Sequence, residues 1–209
     1  MKIQRYVNLK TGKSRPKDDD KPERRNPMAE VTVAKSPIHG LGMFAARDFK
    51  TGERILRRHE REVTPAHPMR DELGEKRCHC DYLAGGKVVL LGFPKRHLNH
   101  CCDPNAYIRE IDGAHYIYAR RDIRTGEEIT NDYRMNSRGD TMWKCHCGSP
   151  QCRHRIHSDF SRLPLAEQRE SLPLLMDWFI EENRQRIAAL RRTSQASASS
   201  GAKRGVSHL

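Results

Sequence analysis

The run Cys145-His-Cys147-Gly-Ser-Pro-Gln-Cys152 packs three thiols into one short stretch punctuated by Gly148 and Pro150. Thiolates that close around a tight turn suit tetrahedral zinc, which takes soft sulfur ligands at about 2.3 Å. Three ligands do not complete a closed structural site, so a fourth is required. Spacing alone favours a local imidazole, His154 or His157; Cys101 and Cys102 are more distant candidates, and Cys78 and Cys80 stand apart. Without a metal, reduced thiols packed this densely would be an oxidation liability.

Other residues carry chemistry less specifically. Glycines at Gly40 and Gly42 let a backbone turn pass close to a ligand where a Cβ would collide. Arg96 can hold a carboxylate through paired N–H donors, and the amide of Asn99, next to His100, both donates and accepts. Tyr133 and Trp143 offer a hydroxyl and a large aromatic face. Taken singly, these are a β-turn, a polar turn, a packed tyrosine and a core tryptophan.

The elements that must position these groups come from 209 residues, enough for one well-buried core and a small satellite. An apolar fraction of 36% and a mean hydropathy of −0.86 predict that part of the chain adds nothing to that core. Residues 1–29, rich in Lys, Arg, Asp and Pro, read as a flexible charged arm in which Asp18-Asp19-Asp20 is a solvated stretch. Residues 193–209 are rich in Ser and Ala and read as a disordered tail. Between them, short strands are predicted at 31–33, 43–47, 54–56 (with an extension towards 63), 87–91, 106–108 and 115–119. Asp112-Gly113 is a hairpin signal between the last two. Beyond Ser158 the apolar residues, Trp178 and Phe179 among them, take helical spacing, with Ser171 as an N-cap and Pro173 in the first turn.

A net charge of +12 favours acidic partners, whether nucleic acid, an anionic membrane face or an acidic protein complex, without choosing among them. Nucleic-acid binding as the primary role would need basic and aromatic residues interleaved on one face, and the aromatic content is only 6%. Charges in residues 1–13 occupy the place of an apolar signal segment, and the run 88–91 is too short to span a bilayer. A soluble intracellular protein without a membrane partner is expected, with cytoplasm, nucleoid and nucleus not distinguished. Seven cysteines, an odd number, fit metal ligation under reducing conditions better than a disulfide framework.

Four separated phrases follow one another along the chain. The first is Ser36-Pro-Ile-His-Gly40-Leu-Gly42-Met-Phe44-Ala45 with Gly52-Glu53-Arg-Ile55. The second is Arg96-His-Leu-Asn99-His100-Cys-Cys102-Asp103-Pro104-Asn105. The third is Ala119-Arg-Arg-Asp122-Ile123-Arg-Thr-Gly126-Glu127-Glu128-Ile-Thr-Asn131-Asp132-Tyr133, and the fourth is the cysteine run. In that order, over about residues 31–156, they resemble the SET-domain protein lysine methyltransferases with a zinc-binding post-SET segment, of the short, compact kind.

The resemblance implies a mainly β, SET-type fold of several small β-sheets with a knot-like C-terminal crossing, a post-SET zinc segment and C-terminal α-helices. It divides the chain into the arm at 1–29, a SET domain at 30–136, the post-SET segment at 137–157, helices at 158–192 and the tail at 193–209. It implies S-adenosyl-L-methionine as methyl donor and zinc held by Cys102, Cys145, Cys147 and Cys152, which ranks Cys102 above the local histidines. Gly40, Leu41, Gly42, Arg96, Asn99, His100, Tyr133 and Trp143 take cofactor-binding positions, and Tyr133 also the catalytic one at the mouth of the transfer channel. The implied substrate is the ε-amine of a lysine in a histone or other chromatin-associated protein. The enzyme is expected to be a monomer that its charge can hold near nucleic acid or the chromosome. A non-catalytic zinc-containing scaffold and a basic nucleic-acid-associated module are the competing readings. His97, Cys101 and Asn131 stand where the family carries Phe, Ser and an aromatic residue, and Asn131 leaves the number of methyl groups open.

Overall fold

The computed structural model describes residues 27–201, so most of the expected arm and the end of the expected tail lie outside the described residues. Four small sheets carry the described chain. The first has the order β1-β2-β10-β7, from Val31–Lys35, Leu41–Ala45, Glu128–Asn131 and Asn99–His100. The second, β3-β9-β8, takes Arg54–Arg57, Ala114–Ala119 and Ala106–Ile111; the third, β4-β6-β5, takes Glu60–Glu62, Val88–Leu91 and Cys80–Tyr82. The fourth is the hairpin of β11 (Arg138–Lys144) and β12 (Arg155–Asp159).

Period-two burial follows from the pleat: β9 turns His115, Ile117 and Ala119 inwards and leaves the residues between them half-buried. Asp112 (φ 50°) and Gly113 (φ 72°) form the expected tight turn, the left-handed pair that matches strand twist. The main core gathers Met43, Phe49, Ile117, Ile123 and Ile129, all essentially inaccessible. A second core of Phe160, Leu163, Phe179, Ile187 and Leu190 lies under the C-terminal helices, and Trp178 packs against both.

Several boundaries differ from expectation. The strand expected to reach towards 63 is broken at Arg58, whose side chain is fully buried and pairs with Glu60 and Asp81, so β3 and β4 join different sheets. Glu30, at the end of α1 (Pro27–Glu30), binds Arg47 Nε at 2.6 Å and so brings the last arm residues into the fold. Residues 158 and 159 belong to β12 instead of the helices. Ser171 is the buried last residue of α2 (Leu165–Ser171) with helical backbone angles, so its hydroxyl caps nothing; a 3-10 turn, Leu172–Leu174, follows it. After α3 (Asp177–Glu182), α4 (Arg184–Gly201) runs past residue 193, because the Ser/Ala/Gln stretch holds no proline and its glycine falls at the very end. Glu182 Oε1 accepts from Gly85 N at 2.8 Å, tying α3 to the turn between β5 and β6. No helix among the described residues is long and apolar enough to cross a membrane.

Candidate functional site

Strand β10 positions the site. It pairs antiparallel with β2 and parallel with β7, setting Thr130 beside Asn99 and Asn131 beside His100, with Asp132 and Tyr133 just beyond. The 36–42 turn is anchored to this strand through side chains. Ser36 Oγ donates to the Glu128 carboxylate (2.8 and 2.9 Å) and accepts from Ile38 N at 2.9 Å and His39 N at 3.2 Å. Asn99 Nδ2 lies 2.8 Å from Glu128 Oε1 and 3.1 Å from each of Ser36 Oγ, the His39 carbonyl and the Leu41 carbonyl. Two N–H groups shared among four acceptors make Asn99 a clamp on the turn. The two glycines therefore have different reasons. Gly40 takes a left-handed φ of 52°, while a Cβ on Gly42 would overlap the Glu128 carboxylate and sit 2.9 Å from Ser36 Cβ.

Tyr133 donates its hydroxyl to the Leu98 carbonyl at 2.7 Å, and its backbone N–H donates to His100 Nδ1 at 3.1 Å. The residue stays 42% accessible although the hydroxyl end is enclosed, and that enclosure, with Asp81 nearby, pushes the phenol's pKa upwards. His100, Tyr133 and Trp143 form an aromatic group with centroid separations of 5.5, 5.6 and 6.0 Å. Burial pushes the His100 imidazole down to about 4; Asp132 opposes this and Arg134 adds to it. Neutral, with Nδ1 occupied as an acceptor, His100 carries its proton on Nε2, which faces Cys102 Sγ at 3.6 Å.

Cys102, Cys145, Cys147 and Cys152 bring their sulfurs within 4.8 Å of one another. Zinc–sulfur bonds of about 2.3 Å imply sulfurs about 3.8 Å apart at the corners of a tetrahedron, and Cys102 Sγ lies 3.8 Å from Cys145 Sγ. The four residues fit zinc. Burial raises the pKa of the Cys102 and Cys145 thiols; at Cys147 burial acts upwards too, but hydrogen bonds from the Cys102 and Ser149 backbone outweigh it and hold that thiol at about 7. Metal binding would thus displace protons from the cluster. Cys101, pushed up to about 12 chiefly by burial, lies beside the set but outside it. His154 reaches only the rim, 3.9 Å from Cys152 Sγ, and Cys80 packs against Met69 on the third sheet.

Residues 40–134, which hold the turn, the Asn99–His100 pair and Tyr133, match the SET domain family. These residues are a SET domain. Of the curated relatives, the histone-lysine N-methyltransferase TRX1 of Oryza sativa is 34% identical over 59% of this chain and 13% of its own length. The histone-lysine N-methyltransferase trithorax of Drosophila melanogaster is 31% identical over 61% of this chain and 4% of its own. The histone-lysine N-methyltransferase, H3 lysine-36 specific, of Eremothecium gossypii is 33% identical over 59% of this chain and 20% of its own. The chain thus spans a fifth or less of the length of these relatives.

Around this SET domain the structure gathers Gly40, Leu41, Gly42, Asn99, His100, Tyr133 and Trp143. Arg96 is placed differently: it is exposed and turned towards its own loop, with its guanidinium 5.8 Å from the Phe93 ring and Nε 3.3 Å from His97 Nε2. Asn131 is buried, with an amide oxygen that has no partner among the described residues. Ser36, Glu128 and Asn105 were missed as positioning residues. Asn105 accepts from Thr130 N and donates to the Glu128 carbonyl, both at 2.8 Å, and so pins the loop before it to β10. The only sequence signal for these was their presence inside the four phrases.

Proposed function

We propose that this SET domain transfers a methyl group from S-adenosyl-L-methionine to the ε-amine of a lysine in a protein. The observation that carries the proposal is the convergence of the Asn99-clamped turn, the Tyr133–Trp143 aromatic faces and the four-cysteine cluster on one end of β10. Leu41 and Tyr133, 48% and 42% accessible, leave apolar surface uncovered beside the polar Asn99–His100 pair, the mixed lining that a nucleoside-bearing amino acid needs. The cofactor supplies an electrophilic methyl group on a sulfonium. The turn at Gly40–Gly42, Asn99, His100 and Trp143 would hold it. Arg96 would have to swing away from Phe93 to add a carboxylate contact.

For the protein's own part, Tyr133 is the residue to consider. Its hydroxyl proton is spent on the Leu98 carbonyl, which leaves oxygen lone pairs to accept from the N–H groups of an incoming amine. Held this way, the neutral amine presents its own lone pair to the methyl carbon, its ammonium proton having first gone to water. The charge that then grows on nitrogen is stabilised by an oxygen already in place. The names of the relatives support a histone tail as the substrate class, and the net charge supports residence near nucleic acid.

A transfer assay with radiolabelled cofactor on histones and a peptide array tests this. Tyr133→Phe is expected to lose roughly a hundredfold in rate while keeping wild-type zinc content and melting temperature. Unchanged labelling in that variant would reject Tyr133 as the acceptor, and absence of labelling by the wild type would reject the reaction.

A further inference from the structure

At the C-terminal edge of the SET domain, Arg134, the β11–β12 hairpin and the Leu163–Pro164 turn enclose a cavity of about 290 Å³ lined by Arg134, Arg153, Arg155, His157 and Arg162, with Asp159 as the one carboxylate. The charge there is only partly compensated. Arg134 is neutralised by Asp132 (Nη2 to Oδ2, 2.7 Å), and Arg153 is paired with Glu167. Asp159 already accepts from Ser161 N at 2.7 Å and Ser161 Oγ at 2.9 Å. Arg155 reaches a methionine sulfur, Met142 Sδ at 3.8 Å, which is a weak acceptor. The carboxylate facing Arg162 is Asp159, at 3.9 Å beyond hydrogen-bonding reach. His157 Nδ1 is enclosed and has no partner among the described residues.

Two guanidinium groups with donors to spare on one cavity match the fork geometry of a phosphate. The volume falls at the lower limit for small-molecule sites, so it suits one anionic group better than a whole ligand. Basic character also continues past the cavity. Arg138 and Lys144 are exposed on the same hairpin, and Arg138 and Arg186 line a neighbouring cavity that shares Asp159. A row of cationic positions is what successive phosphates require and a lone anion does not.

We propose that this cavity binds a phosphate group, and that the group comes from the backbone of a nucleic-acid duplex. None of the residues proposed to hold the cofactor or the lysine lines this cavity, so duplex binding can be read apart from methyl transfer.

The test uses the zinc-loaded full chain and a short fluorescent DNA duplex, with anisotropy read over a salt series. The double variant Arg155→Gln, Arg162→Gln is expected to bind more weakly and to flatten the slope of log K against log salt by about 1–2. The control pair Arg120→Gln, Arg124→Gln, exposed arginines outside the cavity, should change it much less. Equal losses in both pairs would mean diffuse charge and overturn the site, as would no loss in either. In a second arm, inorganic phosphate is titrated and followed by its phosphorus NMR line width. Arginine-dependent phosphate binding with unaltered duplex affinity would overturn nucleic acid as the source. Melting temperatures matching the wild type exclude misfolding as the cause.

Discussion

Cys102→Ser tests the metal centre most directly. Cys145, Cys147 and Cys152 lie on one segment and could hold a metal weakly by themselves; what Cys102 adds is a clip to the strand carrying Asn99 and His100. The clip spans 43 residues between Cys102 and Cys145. Closing a loop of that size with a cross-link removes about 4 kcal/mol of unfolded-state entropy at 25 °C. For a protein of this length, about 1 kcal/mol moves the melting temperature by roughly 2–4 °C, so the variant should melt roughly 8–16 °C lower. Elemental analysis after dialysis against a mild chelator, with calorimetry on the same samples, reads both consequences. Wild type, Cys101→Ser and His154→Ala should keep one zinc per chain, because neither control residue belongs to the four-sulfur group. Stoichiometric zinc and an unchanged melting temperature in Cys102→Ser, or zinc loss in His154→Ala, would refute the assignment.

His100→Ala removes both the acceptor for Tyr133 N and the imidazole against Cys102 Sγ. Zinc affinity, read by competition with a chromogenic chelator, should fall roughly 10–100-fold; no change would mean that the imidazole does not support the cluster. Gly42→Ala forces a methyl group into the Glu128 carboxylate and Ser36. It should cost about 1–3 kcal/mol in urea unfolding, and a wild-type midpoint would show that the turn relaxes freely. Lys95 is buried, and desolvation, aided by Arg58, pushes its amine from 10.5 down to about 8. Because the folded pKa lies below the unfolded one, the wild type carries a constant penalty below about pH 8 and sheds it as the pH climbs towards 10.5. Lys95→Met should therefore be more stable at neutral pH, by at most roughly 3 kcal/mol, with the difference closing over that window. A gap independent of pH would show that the amine is not the cause.

The cysteine run and the Asp112-Gly113 turn were legible from residue types alone, whereas the Asn99–His100 pair and Tyr133 read singly as a polar turn and a packed tyrosine and were picked out only by the resemblance. Spacing could not supply Cys102, since cysteines that meet in space here lie far apart in the chain; the resemblance supplied it. The Ser36–Glu128 contact, 92 residues apart, was invisible for the same reason. Strand β11 was missed because its side chains are exposed or half-exposed throughout, which leaves no alternation for a pattern to catch. Strands β4 and β5 hold three residues each, too few for a period to register. The break at Arg58 left no pattern either: an arginine inside a strand suggests the solvent side, and here its whole side chain is inside, paired with two carboxylates.

The bond from Gly85 to Glu182 has a mechanical meaning. It ties the lobe of β4, β5 and β6 to a helix that comes after the cysteine run in sequence, a link that bypasses the sulfur cluster. A pull on that helix therefore has a route to the turn beside Cys80 and Asp81 that does not run through the four cysteines.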